Sequence, residues 1–213
     1  MTETEQVRLA MSLGEAIYTQ RSIRRLRPDP IPIEDIQTII EAASKAPSGP
    51  ARYLVLTDRD VIRQFGALYH EAWWSKRRDE GRPWTRREEI PAEDRGSRSA
   101  AQLADEIFDA PCIVLALTVG KGQASSILPG VQNLMLAARA LGIGSVPTTL
   151  HPQVLERVYD LLGIPASAEF HLCIPLGYPR GRFGLTQRRP TAETTYLNHW
   201  GDAVPWAGES QTG

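Results

Sequence analysis

The feature that most constrains this chain is the run at residues 110–119, Ala-Pro-Cys-Ile-Val-Leu-Ala-Leu-Thr-Val, apolar almost without a break. A strand that is apolar on both of its faces must be covered from both sides. Close behind it, residues 125–141 place Ile127, Val131, Leu134, Met135, Ala138 and Leu141 at helical spacing, and Gly142 and Gly144 end that helix. Residues 53–57 and 170–176 predict further buried strands, and 144–148 a short one. Residues 12–20, 61–69, 99–108 and 152–162 predict helices, the last closed by Gly163. Pro32 can open another, with Glu34 and Asp35 in the positive first turn and Ile33, Ile36, Ile40 and Ala43 on one stripe. About four to five strands interleaved with helices predict one layered domain over 1–213, of the α+β or α/β class.

Two stretches read differently. Residues 73–98 carry Trp73, Trp74 and Trp84, many charges, Pro83 and Pro91, and predict an excursion over the surface rather than core. Residues 191–200 predict a polar, aromatic tail with some strand character. The net charge of -1 gives no field that would call for nucleic acid. The apolar runs are too short to cross a membrane, and the first eight residues lack the apolar core of a signal peptide. Cys112 and Cys173 lie in apolar, strand-like runs and read as reduced core thiols of a cytoplasmic protein.

Residues suited to chemistry fall in loops. Arg21, Ser22 and Arg24 form a cationic turn, and two guanidiniums with a hydroxyl suit a phosphate or an electron-rich heterocycle. A solvated basic loop is the plainer alternative. Arg188 and Arg189 form a second basic group late in the chain. The loops at 46–49 and 145–149 hold small residues whose amides and hydroxyls can approach a flat ligand, or simply make turns. No GxGxxG or Walker-type loop is present, and no G-x-S-x-G elbow. The four histidines are scattered, with no metal-ligand spacing to the cysteines. Anion-binding and cradling parts without an acid, base or nucleophile constellation suit a cofactor that performs the chemistry itself.

In order and spacing, these pieces resemble the nitroreductase superfamily. Gln20-Arg21-Ser22-Ile23-Arg24-Arg25, then 28–32, then 41–43 through Ala46-Pro47-Ser48-Gly49, is similar to the family's opening. Gln132-Asn133-Leu134 through Leu141-Gly142-Ile143-Gly144 resembles its central helix. Leu176-Gly177-Tyr178-Pro179 followed by Arg188-Arg189-Pro190 resembles its close. The resemblance implies an α+β three-layer sandwich, a central mixed but mainly antiparallel sheet flanked by helices, in a homodimer that exchanges its C-terminal tails, here 190–213.

It also implies an FMN site at the dimer interface. Arg21 and Ser22 would hold the phosphate with Arg188 and its neighbour Arg189. Arg24 would lie near the pyrimidine edge. Pro147, Thr148 and Thr149 would face the ring near N5 and O4, and Pro47, Ser48 and Gly49 would come from the partner. In the stretch 70–98, the part least like the family, Trp73 and Trp74 with Trp84 would either form a lid over the acceptor or pack the stretch onto the domain. The implied activity is hydride transfer from NADH or NADPH through flavin to a nitro compound, quinone or similar small acceptor, by a ping-pong mechanism. Alternatives on the same fold are a non-enzymatic FMN-sequestering protein, a reductive dehalogenase or a flavin-fragmenting enzyme. Two departures stand out. Gln20 occupies a place where the family often has arginine. The loop after Gly49 goes straight to Pro50-Ala51-Arg52-Tyr53, roughly four residues shorter than the family's, without its asparagine and Gln-Pro-Trp.

Overall fold

A computed structural model describes residues 8–47, 49–120 and 123–206. Helix α1 spans Leu13–Thr19 and α2 Ile33–Ser44, followed by strand β1, Ala51–Leu56. Helix α3 spans Arg59–Asp79 and α4 Arg95–Glu106, and β2 is Cys112–Val119. Then come α5, Ala124–Ala140, β3, Gly144–Ser145, α6, Pro152–Leu162, and β4, Ala168–Gly177.

The apolar run at 110–119 became β2, the second strand in the sheet order β1-β2-β4-β3. Successive side chains of a strand point to opposite faces, and both faces are used. Ile113, Leu115 and Leu117 pack with Ile62 and Phe65 of α3, Leu103 of α4 and Val154 and Val158 of α6. Cys112, Val114 and Ala116 pack with Ile36 and Ile39 of α2 and Val131, Leu134 and Ala138 of α5. The result is three layers, helices on both faces of the sheet, as the sequence required. The named strands pair antiparallel throughout, and the parallel component of the sheet is a lone bridge between Ser22 and Ser145.

Cys112 and Cys173 are free thiols buried in the separate cores on the two sides of the sheet. Burial pushes the Cys112 thiol up to about 12. Helix α6 has the bounds its sequence predicted, because His151 caps it, Pro152 opens it and Gly163, at φ 63, closes it in the left-handed region.

The stretch at 61–98 corrects the sequence reading. The helix expected over 61–69 runs on to Asp79, so Trp73 and Trp74 are helical. Its apolar period persists through Ile62, Phe65, Tyr69, Ala72 and Trp74, Asp58 caps its start, and Lys76, Arg77 and Arg78 suit the negative end of its dipole. Trp74 and Trp84 are buried against Ile90 and Ala101, with Trp73 alongside, in a small core of their own. The tryptophans thus pack this stretch onto the domain, while most of its other residues from 76 to 98 stay exposed or half-buried at the surface. The tail at 191–200 is likewise a 3-10 turn, Thr191–Glu193, and bends rather than a strand.

Candidate functional site

The cationic turn follows α1, which Gln20 ends with an extended backbone. The turn then lies along the edge of the sheet. The Ile23 amide donates to the Ser145 carbonyl at 3.0 Å, and the Arg27 amide to the Tyr178 carbonyl at 2.7 Å. The Arg180 amide donates to the Arg25 carbonyl at 3.0 Å. Two glycines allow the close approach. A Cβ at Gly144 would sit 2.7 Å from Ile23 Cγ2, and one at Gly177 3.0 Å from Leu26 Cβ. Ser22 thus lies beside Ser145, at the head of the loop that carries Pro147, Thr148 and Thr149.

That loop is fastened to β4, since the Thr148 amide donates to the Cys173 carbonyl and the Cys173 amide returns the bond, at 2.9 and 2.8 Å. Behind it stands Tyr69 of α3, whose hydroxyl is 2.9 Å from Thr148 Oγ1. Arg24 is close enough for its charge to act on the Tyr69 phenol, although burial dominates and pushes that phenol far up from its ordinary value. Arg21, Ser22, Arg24, Pro147, Thr148 and Thr149 therefore gather at one end of one sheet edge.

The segment that leads into the late arginines is fastened beside the same turn. The Thr186 amide and hydroxyl both donate to the Tyr18 carbonyl, at 2.8 and 3.0 Å. Arg188 is two residues beyond that latch on one strand of chain, and Arg21 three residues beyond it on the other. A guanidinium from α5 braces both. Arg139, only 9% exposed, donates to Thr19 Oγ1 at 2.7 Å and lies 4.2 Å over the Phe183 ring. Among the described residues, Arg21, Arg24, Arg188 and Arg189 make no ion pair with a carboxylate, so their charge is free for an external anion. Gln20 does not replace the missing arginine. Its amide points away, toward Met135 Sδ at 3.7 Å.

The third predicted group is elsewhere. Pro47 and Gly49 precede β1, where Ala51 pairs with Thr118, whereas Ser145 pairs with Leu176, which pairs with Cys112. Six residues of strand, about 20 Å, separate those two levels, and the full width of the sheet adds to it. One chain does not bring this loop to Arg21 and Thr148. Ser48 lies outside the described residues. The loop is short in the folded chain, with only residues 45–50 between α2 and β1.

The donors present fit a flavin mononucleotide. Uncompensated guanidiniums and the Ser22 hydroxyl suit a phosphate dianion, and a half-exposed Pro147-Thr148 edge suits a flat ring. Sequence reasoning missed Tyr69 and Arg139, which meet their partners 79 and 120 residues away. Trp73 stands one turn beyond Tyr69 on the same helix, edge-on to Trp74 and under the Arg77 guanidinium. No helix among the described residues is long and apolar enough to cross a membrane.

Known proteins share the fold and the family. An NADH dehydrogenase of Thermus thermophilus is 32% identical over 183 residues, covering 77% of this chain and 85% of that protein. An iodotyrosine deiodinase of Thermotoga neapolitana is 24% identical over 169 residues, 75% of this chain and 84% of that one. The crystal structure of a nitroreductase with bound FMN from Bacteroides fragilis superposes with a TM-score of 0.63 at 21% identity, covering 89% of this chain and all of that one. The model of the nitroreductase family matches residues 17–178, and the chain belongs to that family.

Proposed function

We propose that this chain is an FMN-dependent oxidoreductase that draws electrons from NADH or NADPH and delivers them to a small oxidised acceptor. The observation that carries the reading is the junction of three separate segments at one sheet edge: residues 21–24, 145–149 and 186–189, held by the Ile23–Ser145 and Thr186–Tyr18 hydrogen bonds. Bound FMN would supply hydride acceptance from the nicotinamide and electron delivery to the acceptor. The chain supplies the rest. Arg21, Ser22, Arg188 and Arg189 hold the phosphate by charge-assisted hydrogen bonds. Arg24 places positive charge beside the ring, which favours its reduced, anionic state. Pro147, Thr148 and Thr149 line one ring edge. Trp73 walls the side where donor and acceptor stack in turn, while Trp74 serves mainly the core beneath it.

The full width of the sheet between Pro47-Gly49 and Thr148 supports a homodimer, with Pro47, Ser48 and Gly49 of one copy completing the site of the other. The residues at 190–206 carry Trp200 at 90% exposure, in keeping with a tail that embraces the partner. The test is direct. Purified protein should be yellow or take up FMN stoichiometrically, and should oxidise NADH or NADPH when a nitroaromatic or quinone is added. Protein that refuses FMN and turns over neither nicotinamide ends the proposal.

A second reading, reductive dehalogenation at the same site, draws support from the iodotyrosine deiodinase of Thermotoga neapolitana. Iodide release from iodotyrosine under a reductant distinguishes it, because a quinone or nitro reductase gives none.

A further inference from the structure

We propose that His70 is a proton-operated catch on the small tryptophan core. Neutral, its imidazole holds the Trp74 indole; protonated, it turns to Asp105 and lets the indole go. Nothing in this device depends on a bound flavin.

His70 lies one turn before Trp74 on α3. The Trp74 Nε1–H donates to His70 Nε2 at 3.0 Å, and Asp105 Oδ1 of α4 lies 3.4 Å from the same nitrogen. An indole N–H can only donate, so Nε2 must offer its lone pair, and the ring proton then sits on Nδ1. A second proton can enter only at Nε2, where it would set a donor against a donor. The Trp74 bond and that proton are therefore mutually exclusive, and Asp105 is the acceptor that receives the proton's hydrogen bond.

The two partners differ in exposure. The His70 side chain is 48% exposed, so solvent protons reach it, whereas Trp74 is 6% exposed. The indole N–H bonds no other atom among the described residues, so its release leaves a buried donor unpaired. Trp74 packs with Trp84, Ile90 and Ala101 and is edge-on to Trp73 at 4.6 Å. Protonation of His70 thus loosens the core that holds residues 84–101 to α3.

The other charges nearby have partners of their own. Asp105 Oδ2 is 3.8 Å from an Arg87 guanidinium nitrogen, in the turn at Arg87–Glu89. On α3 the positions one turn away are Gly66, Ala67, Trp73 and Trp74, none of them charged. Glu71 is turned to α6, where Arg157 and Gln153 hold it. Glu106 accepts from Gln102, and Asp109 pairs with Arg59. Among the described residues, Asp105 is the carboxylate within ion-pair reach of His70.

The test uses the full chain labelled with 15N at tryptophan and histidine, followed by NMR from about pH 8 to about pH 5, the range in which imidazoles ordinarily change charge. Trp74→Phe assigns the indole signal. At the alkaline end His70 should be the Nδ1–H tautomer. On acidification the Trp74 indole signal should shift. Its hydrogen exchange, corrected for the intrinsic effect of pH, should quicken about fivefold, the worth of one modest hydrogen bond, and the amides of 84–101 should follow. His70→Gln, whose side-chain carbonyl can accept from the indole at any pH, should flatten the response. Asp105→Asn, which removes the competing charge, should move it to lower pH. An Nε2–H tautomer at the alkaline end overturns the proposal, as does an indole signal indifferent to pH or a response that survives in His70→Gln. The tautomer is read in the wild type, so a variant that failed to fold would leave the test standing.

Discussion

At the scale of single residues, Gly130 and Tyr53 show how little slack the α5 face allows. A Cβ on Gly130 would collide with the Tyr53 hydroxyl and sit 3.1 Å from the Ala43 carbonyl. Helix propensity alone would make Gly130→Ala stabilising by about 1 kcal/mol. Overpacking of this kind costs about 1–3 kcal/mol, so the variant should instead melt lower. The Tyr53 hydroxyl is buried with no hydrogen-bond partner among the described residues. Tyr53→Phe should therefore leave stability unchanged or raise it. Thermal or urea melts of the two variants check both signs, and a destabilised Tyr53→Phe would mean that the hydroxyl has a partner after all. In the site, Arg21→Ala should weaken FMN binding about tenfold or more, as expected for loss of a charge-assisted phosphate contact. Fluorescence titration reads it, and an unchanged affinity would remove Arg21 from the phosphate site.

At the scale of elements, helices α3 and α6 are joined by a polar clamp. Arg157 makes a forked bond to Glu71, at 2.9 and 2.6 Å, and Gln153 adds a third at 2.8 Å. Hydrogen bonds from Arg157 and then Gln153 hold the Glu71 carboxyl down at about 2, from an ordinary 4.5. A depressed carboxylate contributes fully above its unfolded value, and the contribution fades as pH falls toward the folded one. The stability gap between wild type and Glu71→Gln should thus be present at neutral pH and close between pH 4.5 and about 2. The pair is solvent-exposed, so the gap is small, about 1 kcal/mol or less. Denaturant melts across that range decide it, and a gap that widens on acidification would sink the assignment. Trp84→Ala should cost about 3–5 kcal/mol locally and raise hydrogen exchange across 84–101, since it empties the small core beside Trp74 and Ile90.

Legibility also divides by element. Helix α6, strand β2 and the layered arrangement could be read from the sequence because local signals and burial agree there. Helix α3 beyond Tyr69 could not, because its tryptophans and charges mask an apolar stripe that serves a separate core. The arginines and small loop residues of the proposed site were readable as motifs. Tyr69 and Arg139 were not, because their roles depend on partners that only the folded sheet brings near.

At the scale of the whole molecule, apolar surface remains uncovered. Leu13, Ile17 and Tyr18 of α1 are 70%, 50% and 66% exposed, beside a cavity of about 350 Å³ lined by Leu9, Met11, Ala16, Ala137 and others. Contiguous patches of this kind mark contact surfaces. The chain should sediment as a dimer, and removing residues 196–213 should shift it toward monomer and lower FMN affinity. A truncated protein that remains a fully loaded dimer would refute the tail's role. The latch between Tyr18 and Thr186 has one more consequence, for biogenesis. It closes a loop of chain 168 residues long, so the proposed anion-binding end does not exist until residue 186 has left the ribosome. Capture of FMN is then expected only once residue 186 has emerged, and stalled nascent chains ending before it should be colourless even in excess FMN.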